Sequence, residues 1–336
     1  LSVTQSFQPD LFTGRATTAI PLAVPPGRKG MQPGLALAYS SSARNGWLGV
    51  GWDLNLGYIE RSTKNGVPKY DGSDTFSFML QGVSSDLVRI PDGTYRAKDE
   101  GLFLRVESKG VSGWEIRDKA GTRYLFGQTA ASQIMTPGWV FRWSLDQVID
   151  TDGNTMTITY TKDQNQLYLD TIRYTGHATI LSPPANEVKF NLESRTDIDT
   201  SYRSRFAVTT AKRLKTVEAK ATVGVALSLA RRYELGYTTS ARTNRSLLTS
   251  VTLVGEDKDG VTKLPPTTFT YQSAVEPSYT PIASPPKLQL AGDADGNGIT
   301  DLITFDKTAS VWTVSLARPG GDYAPSTTWR TGFGGS

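Results

Sequence analysis

The segment 293–301 carries the residues of this sequence that are best suited to binding an ion. Counting from Asp293, oxygen-bearing side chains fall at positions 1, 3, 5 and 9 of one short loop, and position 7 can offer its backbone carbonyl. Calcium is a hard cation that takes about six to eight oxygen ligands at roughly 2.3–2.6 Å. The spacing therefore predicts a calcium site whose ligands all lie in this loop: Asp293, Asp295, Asn297, Ile299 and Asp301.

The residues around this loop predict strands rather than the flanking helices of an EF-hand. An EF-hand also needs a bidentate Glu at position 12, where this sequence has Thr304. The following residues 302–305 alternate as a strand does. Gly298 at position 6 permits the tight turn that the loop requires. A polar turn that binds no ion remains the alternative.

Other kinds of reactive site lack the residues that they need. The chain has no cysteine and a single histidine, His177, so thiolate and multi-histidine metal sites are excluded within it. Neither a Gly-x-Ser-x-Gly elbow nor a phosphate-binding Gly-x-x-x-x-Gly-Lys loop is present. The stretch 150–154 resembles the calcium loop but lacks an acid at position 9, and we interpret it as a hairpin turn. No catalytic and no cofactor-binding residue is predicted.

The composition favours a β protein that does not bind nucleic acid. Hydrophobic residues make up 38% of the 336, which is enough for a buried core, and 32 glycines with 18 prolines disfavour long helices. The net charge of +4 is spread along the chain without a basic stripe. The longest apolar run, 221–230, is about half a membrane span, so no direct membrane insertion is expected.

Alternating patterns recur along the chain and predict an all-β fold of antiparallel hairpins. The run 155–161 alternates polar and apolar residues without a break. The form Leu, polar, Thr or Ser, Ile or Val occurs three times, beginning at Leu169, Leu214 and Leu248. Such hairpins cannot bury a face alone, so they must pack side by side into a larger sheet.

One change of composition predicts the division into domains. Four prolines cluster shortly before Leu288, and prolines stiffen a chain and remove backbone donors. We therefore predict a β domain over residues 1–280 and a single calcium-loop repeat over residues 281–336. The start without methionine and the end at Ser336 suggest a piece of a longer protein.

Five motifs occur in a characteristic order along residues 20–271. They are Ile20-Pro21-Leu22, Val24-Pro25-Pro26-Gly27, Asn45-Gly46-Trp47-Leu48-Gly49-Val50-Gly51-Trp52, Gly121-Thr122-Arg123-Tyr124-Leu125-Phe126-Gly127 and Pro266-Thr267-Thr268-Phe269-Thr270-Tyr271. This ordered series resembles the SpvB family, which includes the B components of Tc insecticidal toxin complexes and is related to RHS shells. Residues 288–329 resemble one VCBS/FG-GAP repeat, a blade of a β-propeller.

This resemblance implies a non-enzymatic scaffold for toxin delivery. The fold it implies is a curved RHS-like sheet of hairpins that forms part of a hollow shell, followed by a partial propeller blade. Its implied partners are a toxin C component or C-terminal toxic domain as cargo and a pore-forming A component, and its implied location is secreted or extracellular. The Glu-x-Glu pair expected of an actin-modifying ADP-ribosyltransferase is absent from the sequence.

Two other functions stay open on the sequence. A calcium-dependent cell-surface adhesin or binding module would use the same loop repeat in a different parent protein. A glycan-cleaving enzyme would need two carboxylates about 5–10 Å apart, and such pairs meet only in space.

Overall fold

Strands make up almost all of the regular structure of this protein. The computed structural model describes residues 8–9, 14–180, 183–224, 226–257, 260–271 and 287–331. The helical segments in these ranges are three short 3₁₀ turns, at Arg28–Gly30, Gly110–Ser112 and Ala130–Ser132. The predicted all-β class is thereby confirmed. None of the helices within the described ranges has the length and apolar character needed to cross a bilayer.

The chain separates into two compact units, Leu1–Tyr271 and Gln272–Ser336. The predicted domain boundary between residues 280 and 281 lies outside the described residues, as do the four prolines on which it was based. The division into domains 1–280 and 281–336 therefore stays a prediction, and each unit is described by itself.

The first unit begins with a small antiparallel sheet. Its strands, in the spatial order β1-β2-β3-β6, accompany a separate hairpin of β4 and β5. The six strands are β1 Gln8–Pro9, β2 Ala16–Leu22, β3 Leu35–Ser40, β4 Asn45–Gly46, β5 Gly49–Val50 and β6 Trp52–Asp53. Gly49 has a φ of +88°, and a Cβ there would lie 2.5 Å from the carbonyl oxygen of Ser246. Only glycine permits this approach of two backbones.

Eight of the next nine strands close into a ring. Each ring strand pairs antiparallel with its neighbours, and the last one closes the ring by pairing with both the first and the seventh. The nine strands are β7 Gly57–Arg61, β8 Phe76–Leu80, β9 Val83–Arg89, β10 Tyr95–Ala97, β11 Arg105–Ser108, β12 Trp114–Arg117, β13 Arg123–Phe126, β14 Gln133–Thr136 and β15 Trp139–Ile149. The strand outside the ring, β14, pairs with the N-terminal half of β15.

Aromatic side chains pack together in the core beside this ring. Phe76, Tyr95, Trp114 and Trp143 form edge-on and tilted pairs with centroids 4.8–6.1 Å apart. Pairs in such geometries are worth about 0.5–1.5 kcal/mol beyond their buried area. The ring is thus held by side-chain packing as well as by its backbone ladder.

A second, extended sheet continues from β15 as a series of antiparallel hairpins. Each strand from β16 to β21 pairs with the next, and two short strands, β22 and β23, both pair with β21. The strands are β16 Asn154–Asp163, β17 Gln166–His177, β18 Asn186–Ser201, β19 Val208–Val223, β20 Ala226–Thr239, β21 Ser246–Asp257, β22 Gly260–Lys263 and β23 Thr267–Thr268.

Strand β15 belongs to both the ring and the extended sheet. On one side, its residues 142–144 pair with 58–60 of β7. Its residues 147–149 pair with 155–157 of β16. The sheet therefore forks near Leu145, which explains why both faces of β15 contain buried residues.

The repeated Leu-polar-Thr/Ser motif found in the sequence coincides with β-bulges. In each case the residue after the leucine is skipped by the pairing register. The same skip follows Leu145 at the fork. The skipped residues are Asp146, Asp170, Lys215 and Thr249. A bulge bends its strand and increases the local twist. These four bulges lie on alternate strands, β15, β17, β19 and β21.

Tyrosine hydroxyls satisfy the leucine carbonyls at three of these four bulges. The distances from hydroxyl oxygen to carbonyl oxygen are 2.6–2.7 Å, for Tyr160 to Leu145, Tyr237 to Leu214 and Tyr271 to Leu248. Burial raises the pKa of each of these three hydroxyls, which keeps them in the protonated, donating form.

We expect Tyr237→Phe to lower the free energy of unfolding by about 1–3 kcal/mol. The substitution keeps the ring and leaves the carbonyl of the fully buried Leu214 without its donor. Urea unfolding monitored by circular dichroism measures the change. Tyr202→Phe is the matched control, because Tyr202 is 67% exposed and should change stability little. Equal effects of the two substitutions would contradict this account.

The two faces of the extended sheet differ in character. Its inner face is apolar and fully or almost fully buried, with Ile172, Val188, Phe190, Val217, Ala219 and Val251. Other side chains of the same strands form ion pairs between neighbouring strands: Asp170 with Lys189, Arg173 with Glu187 and Glu193 with Arg213. A further pair, Glu234 with Lys263, spans β21 and joins β20 to β22. One face is therefore suited to water and the other must be covered.

The segment that precedes β7, called the N-terminal cover below, covers this apolar face. Its leucines Leu35 and Leu37 are buried in the same core as the inner face of the sheet. Its backbone is tied to the sheet by hydrogen bonds, including Tyr174 Oη to Pro25 O at 2.8 Å and Leu214 N to Trp47 O at 3.0 Å. The glycine- and tryptophan-rich stretch 45–52 therefore acts as scaffold within the described fold.

The second unit contains a four-stranded antiparallel meander. Its strands lie in sequence order: β24 Lys287–Gly292, β25 Asp301–Asp306, β26 Val311–Ser315 and β27 Thr327–Thr331. Phe305 and Trp312 stack with ring centroids 4.7 Å apart. The buried residues described in this unit are Asp301 and Val314, so most of its surface is open.

A charged pair on the ring strands predicts a pH dependence of stability. Hydrogen bonds from Arg123, at 2.9 and 3.1 Å, and from Arg117 lower the pKa of Glu115 to about 2. A carboxylate with a lowered folded-state pKa stabilises the protein above its unfolded pKa, and that stabilisation fades as the pH falls towards the folded pKa.

We therefore expect Glu115→Gln to be less stable than the unsubstituted protein at pH 7. The difference between their free energies of unfolding should narrow as the pH falls from about 4.5 to about 2, because Glu115 becomes protonated and both proteins are then neutral at this position. Urea unfolding curves of both proteins at a series of pH values test this. A difference that stays constant over that range would rule out the pair as its source.

Candidate functional site

The predicted calcium loop connects strands β24 and β25 of the second unit. Asp293, Asp295, Asn297 and Ile299 lie in the loop, and Asp301 is the first residue of β25. One carboxylate oxygen from each of the three aspartates lies within 4.8 Å of the others. The structure thus brings together the acidic residues that the sequence singled out.

The loop holds its shape through hydrogen bonds from backbone N–H groups to these carboxylates. Asp293 accepts from Gly296 at 2.7 Å, from Asn297 at 3.0 Å and from Gly298 at 2.8 Å. The bond from Gly298 is the largest of the effects that lower the pKa of Asp293. Both Gly296 and Gly298 have positive φ, of +80° and +83°. The predicted turn at Gly298 is therefore present, with a second one at Gly296.

Asp301 is the anchor of the loop. Its side chain is fully buried, and its two oxygens accept from Ala294 N at 2.8 Å and Ala317 N at 2.7 Å. These bonds join the loop to the chain that follows β26. A carboxylate oxygen that accepts one hydrogen bond keeps a second lone pair for a cation. The donor set of three carboxylates and one amide oxygen fits a hard cation such as calcium.

The remaining predicted ligand, Ile299, lies where the sequence placed it. Its N–H donates to the Asn297 side-chain oxygen at 2.7 Å. The role of its carbonyl as a ligand stays a prediction.

The stretch 150–154 forms a hairpin turn between β15 and β16, as the sequence analysis interpreted it. Asp150 accepts hydrogen bonds from the backbone N–H groups of Asp152 and Asn154. Gly153 has a φ of +81°. His177 packs against this turn, where its Nε2 lies 2.9 Å from the carbonyl oxygen of Asp152. Its Nδ1 accepts from the N–H groups of Thr179 and Ile180, so Nε2 carries the proton.

The structure also assembles a buried polar cluster that the sequence analysis did not find. Arg195 and Asp197 on β18 meet with their charged atoms 2.6 Å apart, and their side chains are 0% and 6% exposed. Arg195 also donates to Gly46 O and to the Asn45 side chain. Ser246 on β21 donates to Asp197 through both its N–H and its hydroxyl. Segments far apart in sequence supply these groups, so local spacing gave no signal of them.

Comparison with known proteins places the first unit in a family. A sequence profile described as "Salmonella virulence plasmid 65kDa B protein", SpvB, matches residues 11–179. The chain belongs to the SpvB family. The match ends with β17 and the turn after it, so it covers the N-terminal cover, the ring and the start of the extended sheet.

Among curated relatives, this SpvB-family chain is similar to the mono(ADP-ribosyl)transferase SpvB of Salmonella choleraesuis. The two are 30% identical over an alignment of 176 residues, which covers 44% of this chain and 30% of the relative. The chain thus spans under a third of the curated relatives that it matches.

Solved structures with the same fold extend over more of the SpvB-family chain. A chain of the TcdB2-TccC3 crystal structure matches 96% of it with a TM-score of 0.67 and 22% identity, covering 20% of that chain. The N-terminal domain of effector protein SpvB from Salmonella typhimurium matches 71% of it with a TM-score of 0.61 and 22% identity, covering 99% of that domain. The Tc holotoxin pore of Photorhabdus luminescens contains a further match over 94% of the chain, at 22% identity and a TM-score of 0.66, covering 19% of that chain.

Proposed function

We propose that this chain forms part of the wall of a hollow β shell that carries a toxic polypeptide. The observation that carries the proposal is the match of 96% of this chain to a chain of a TcdB2-TccC3 structure. The proposed role is scaffolding without catalysis, in a secreted bacterial protein. The proposed partners are a C component such as TccC3, with its toxic C-terminal polypeptide as cargo, and a pore-forming A component.

The architecture of the first unit supports the proposal that it forms part of the shell wall. Bulges on alternate strands bend the extended sheet, which suits it to enclosing a volume. Among the described residues, the partners on the outer edge of its last long strand, β21, are the two short strands β22 and β23. Further hairpins of a longer parent protein could continue the sheet beyond them.

The exposed apolar face of the second unit supports the proposal that this unit forms part of a propeller. Leu288 pairs with Phe305, and Leu290 pairs with Ile303, so these four side chains share one face of the sheet. Leu288 and Leu290 are 44% and 45% exposed. A sheet with an apolar face needs a packed neighbour. We propose that this unit is a single VCBS/FG-GAP blade and that other blades of the parent cover this face.

The test of the wall proposal is a chimaera. This chain replaces the matching segment of TcdB2, and the chimaera is co-expressed with TccC3 and treated with protease. We expect the C-terminal polypeptide of TccC3 to stay protected, as it should in the unmodified pair. A chimaera that folds and binds TccC3 but leaves that polypeptide open to cleavage contradicts the proposal.

We further propose that the loop of the second unit binds calcium through Asp293, Asp295, Asn297, Ile299 and Asp301. The meeting of three carboxylates within 4.8 Å supports it. In the protein, the loop would hold the ion between β24 and β25 and so fix the start of the blade.

We expect Asp293→Ala combined with Asp295→Ala to abolish calcium binding. Calorimetric titration of calcium into the metal-stripped protein should find one site, with an affinity between about micromolar and millimolar. The double variant should bind none, and its first unit should unfold at the same temperature as before, since both substitutions lie in the second unit. Asp322→Ala is the control, because Asp322 is an exposed acid of the same unit outside the loop. Absence of binding by the unsubstituted protein would overturn the calcium proposal.

A further inference from the structure

A cleft of about 820 Å³ opens in the first unit, between the edge of β3 and the ring. Three of the four methionines of the chain line it, Met31, Met79 and Met156. Leu56 and Val148 add further apolar surface. Methionine is flexible and polarisable, so a surface rich in it adapts to side chains of different shape.

One wall of this cleft is the part of the β3 edge that lies beyond its pairing with β6. Ser40 donates its N–H to Gly51 O at 2.9 Å on the side of β6. Because backbone groups alternate along a strand, Ala36 directs its N–H and C=O to the same edge. Strand β6 pairs with Ala38 and Tyr39, and among the described residues no strand pairs with Ala36 on that edge. Ala36 lines the cleft.

The unpaired charge along the cleft is negative. Lys29 lies in the lining, but its Nζ is 2.9 Å from a carboxylate oxygen of Asp152. Asp53 and Asp150 also line the cleft, and their carboxylates accept hydrogen bonds from neighbouring groups, including Leu54 N and Asn154 N. Within the described residues, neither has a lysine or arginine within ion-pair distance. A ligand that brings its own cations would complement this surface.

We infer that the cleft binds an extended polypeptide segment in which basic side chains alternate with apolar ones, added as a strand along the edge of β3. Its backbone pairs with the free N–H and C=O of Ala36, as in other strand additions to an open sheet edge. Its apolar side chains contact the methionines, and its basic side chains lie near Asp53 and Asp150. The inference does not depend on the shell proposal, because it concerns a site within the first unit alone.

Desolvation raises the pKa of Asp53, and a hydrogen bond from Leu54, the charge of Arg142 and a hydrogen bond from Trp47 oppose that rise without cancelling it. A cation brought next to this carboxyl favours its charged form and lowers that pKa again. Binding of a basic segment at this cleft therefore releases protons when it is measured near the raised pKa.

The test uses the full chain and a capped synthetic peptide of alternating valine and lysine, titrated by calorimetry. We expect this peptide to bind at least tenfold more tightly than its counterpart of alternating valine and glutamate. N-methylation of alternate backbone amides of the lysine peptide should weaken binding at least tenfold, since it removes ladder donors without any change to the protein.

Two variants test the contacts from the protein side. Ala36→Pro removes the free N–H and spares the ladder to β2, because Ala36 faces Pro21 there at a position without hydrogen bonds between the pair. Asp53→Asn removes one charge. Each should weaken binding of the lysine peptide at least tenfold, whereas Glu100→Gln, which removes an exposed carboxylate elsewhere, should not.

Three results with the peptides would overturn the inference. They are equal affinity for the lysine and glutamate peptides, full affinity after N-methylation, and unchanged binding by either Ala36→Pro or Asp53→Asn. If the chain self-associates and the peptide cannot displace the second copy, the cleft would be a site for that copy. This result would also overturn the inference.

Discussion

Replacing Arg195 by methionine is expected to lower the free energy of unfolding by about 3–5 kcal/mol. The guanidinium is fully buried and holds Asp197, which is 6% exposed, at 2.6 Å. Burial alone would raise the pKa of Asp197, but hydrogen bonds from Arg195 and Ser246 hold it below its usual range. Without Arg195, this carboxylate is a buried charge that has lost its ion-pair partner, and Gly46 and Asn45 lose their donors.

The consequence should extend to the position of the N-terminal cover. The cluster joins the hairpin of β4 and β5 to β18 and β21, so its loss should free that hairpin. Urea unfolding at neutral pH gives the change in stability, and hydrogen exchange over residues 44–52 gives the local effect. Arg105→Met is the control, because the pair of Arg105 with Glu107 is 56% and 32% exposed and such pairs contribute about 0–1 kcal/mol.

A double variant separates the charge effect from general disruption. Arg195→Met combined with Asp197→Asn removes both charges, so it should cost less than the sum of the two single substitutions. Two results would mean that the cluster does not hold the hairpin. One is a double variant whose loss of unfolding free energy equals the sum of the two single losses. The other is a loss of less than about 1 kcal/mol for Arg195→Met alone.

Trp52→Ala is expected to lower the free energy of unfolding by about 3–5 kcal/mol. Trp52 is 2% exposed and packs against Tyr39 and Phe269, with ring centroids 5.2 and 4.8 Å away. Its Nε1 donates to Tyr271 Oη at 3.0 Å, and that hydroxyl donates in turn to Leu248 O. The substitution therefore opens a cavity and weakens the bulge at Leu248 as well.

The measurement is again urea unfolding, with two comparisons. Trp52→Phe should cost less than Trp52→Ala, because it fills part of the cavity but still loses the bond to Tyr271. Trp329→Ala should cost at most about 0.5 kcal/mol, because Trp329 is 57% exposed. If Trp52→Ala lowers the free energy of unfolding by as little as Trp329→Ala does, Trp52 is not part of the core.

The sequence predicted the strands well because each hairpin carries its own signal. The alternation at 155–161 lies within β16, and the hairpin turn at 150–154 has the glycine conformation that its residues suggested. The loop that was predicted to bind calcium also lies between two strands, as its flanks predicted. These features depend on neighbours in sequence, which a single chain displays directly.

Other features depend on contacts between distant segments and could not be predicted from spacing. The leucine repeat was visible, yet its meaning as a series of bulges appears only in the pairing register. The fork at Leu145 arises because β15 pairs with strands on both sides of it in the chain. Arg195 meets Asn45 across about 150 residues, and nothing in the local sequence distinguishes it from the other arginines.

The central claim is that this chain is a wall segment of a toxin-carrying shell. Electron cryomicroscopy of the TcdB2 chimaera bound to TccC3 tests it most directly. We predict a closed shell in which the extended sheet of this chain continues at β21 into the next hairpins, with its N-terminal cover in place and density for polypeptide inside. A folded chimaera in which this chain projects from an open or empty particle would contradict the claim.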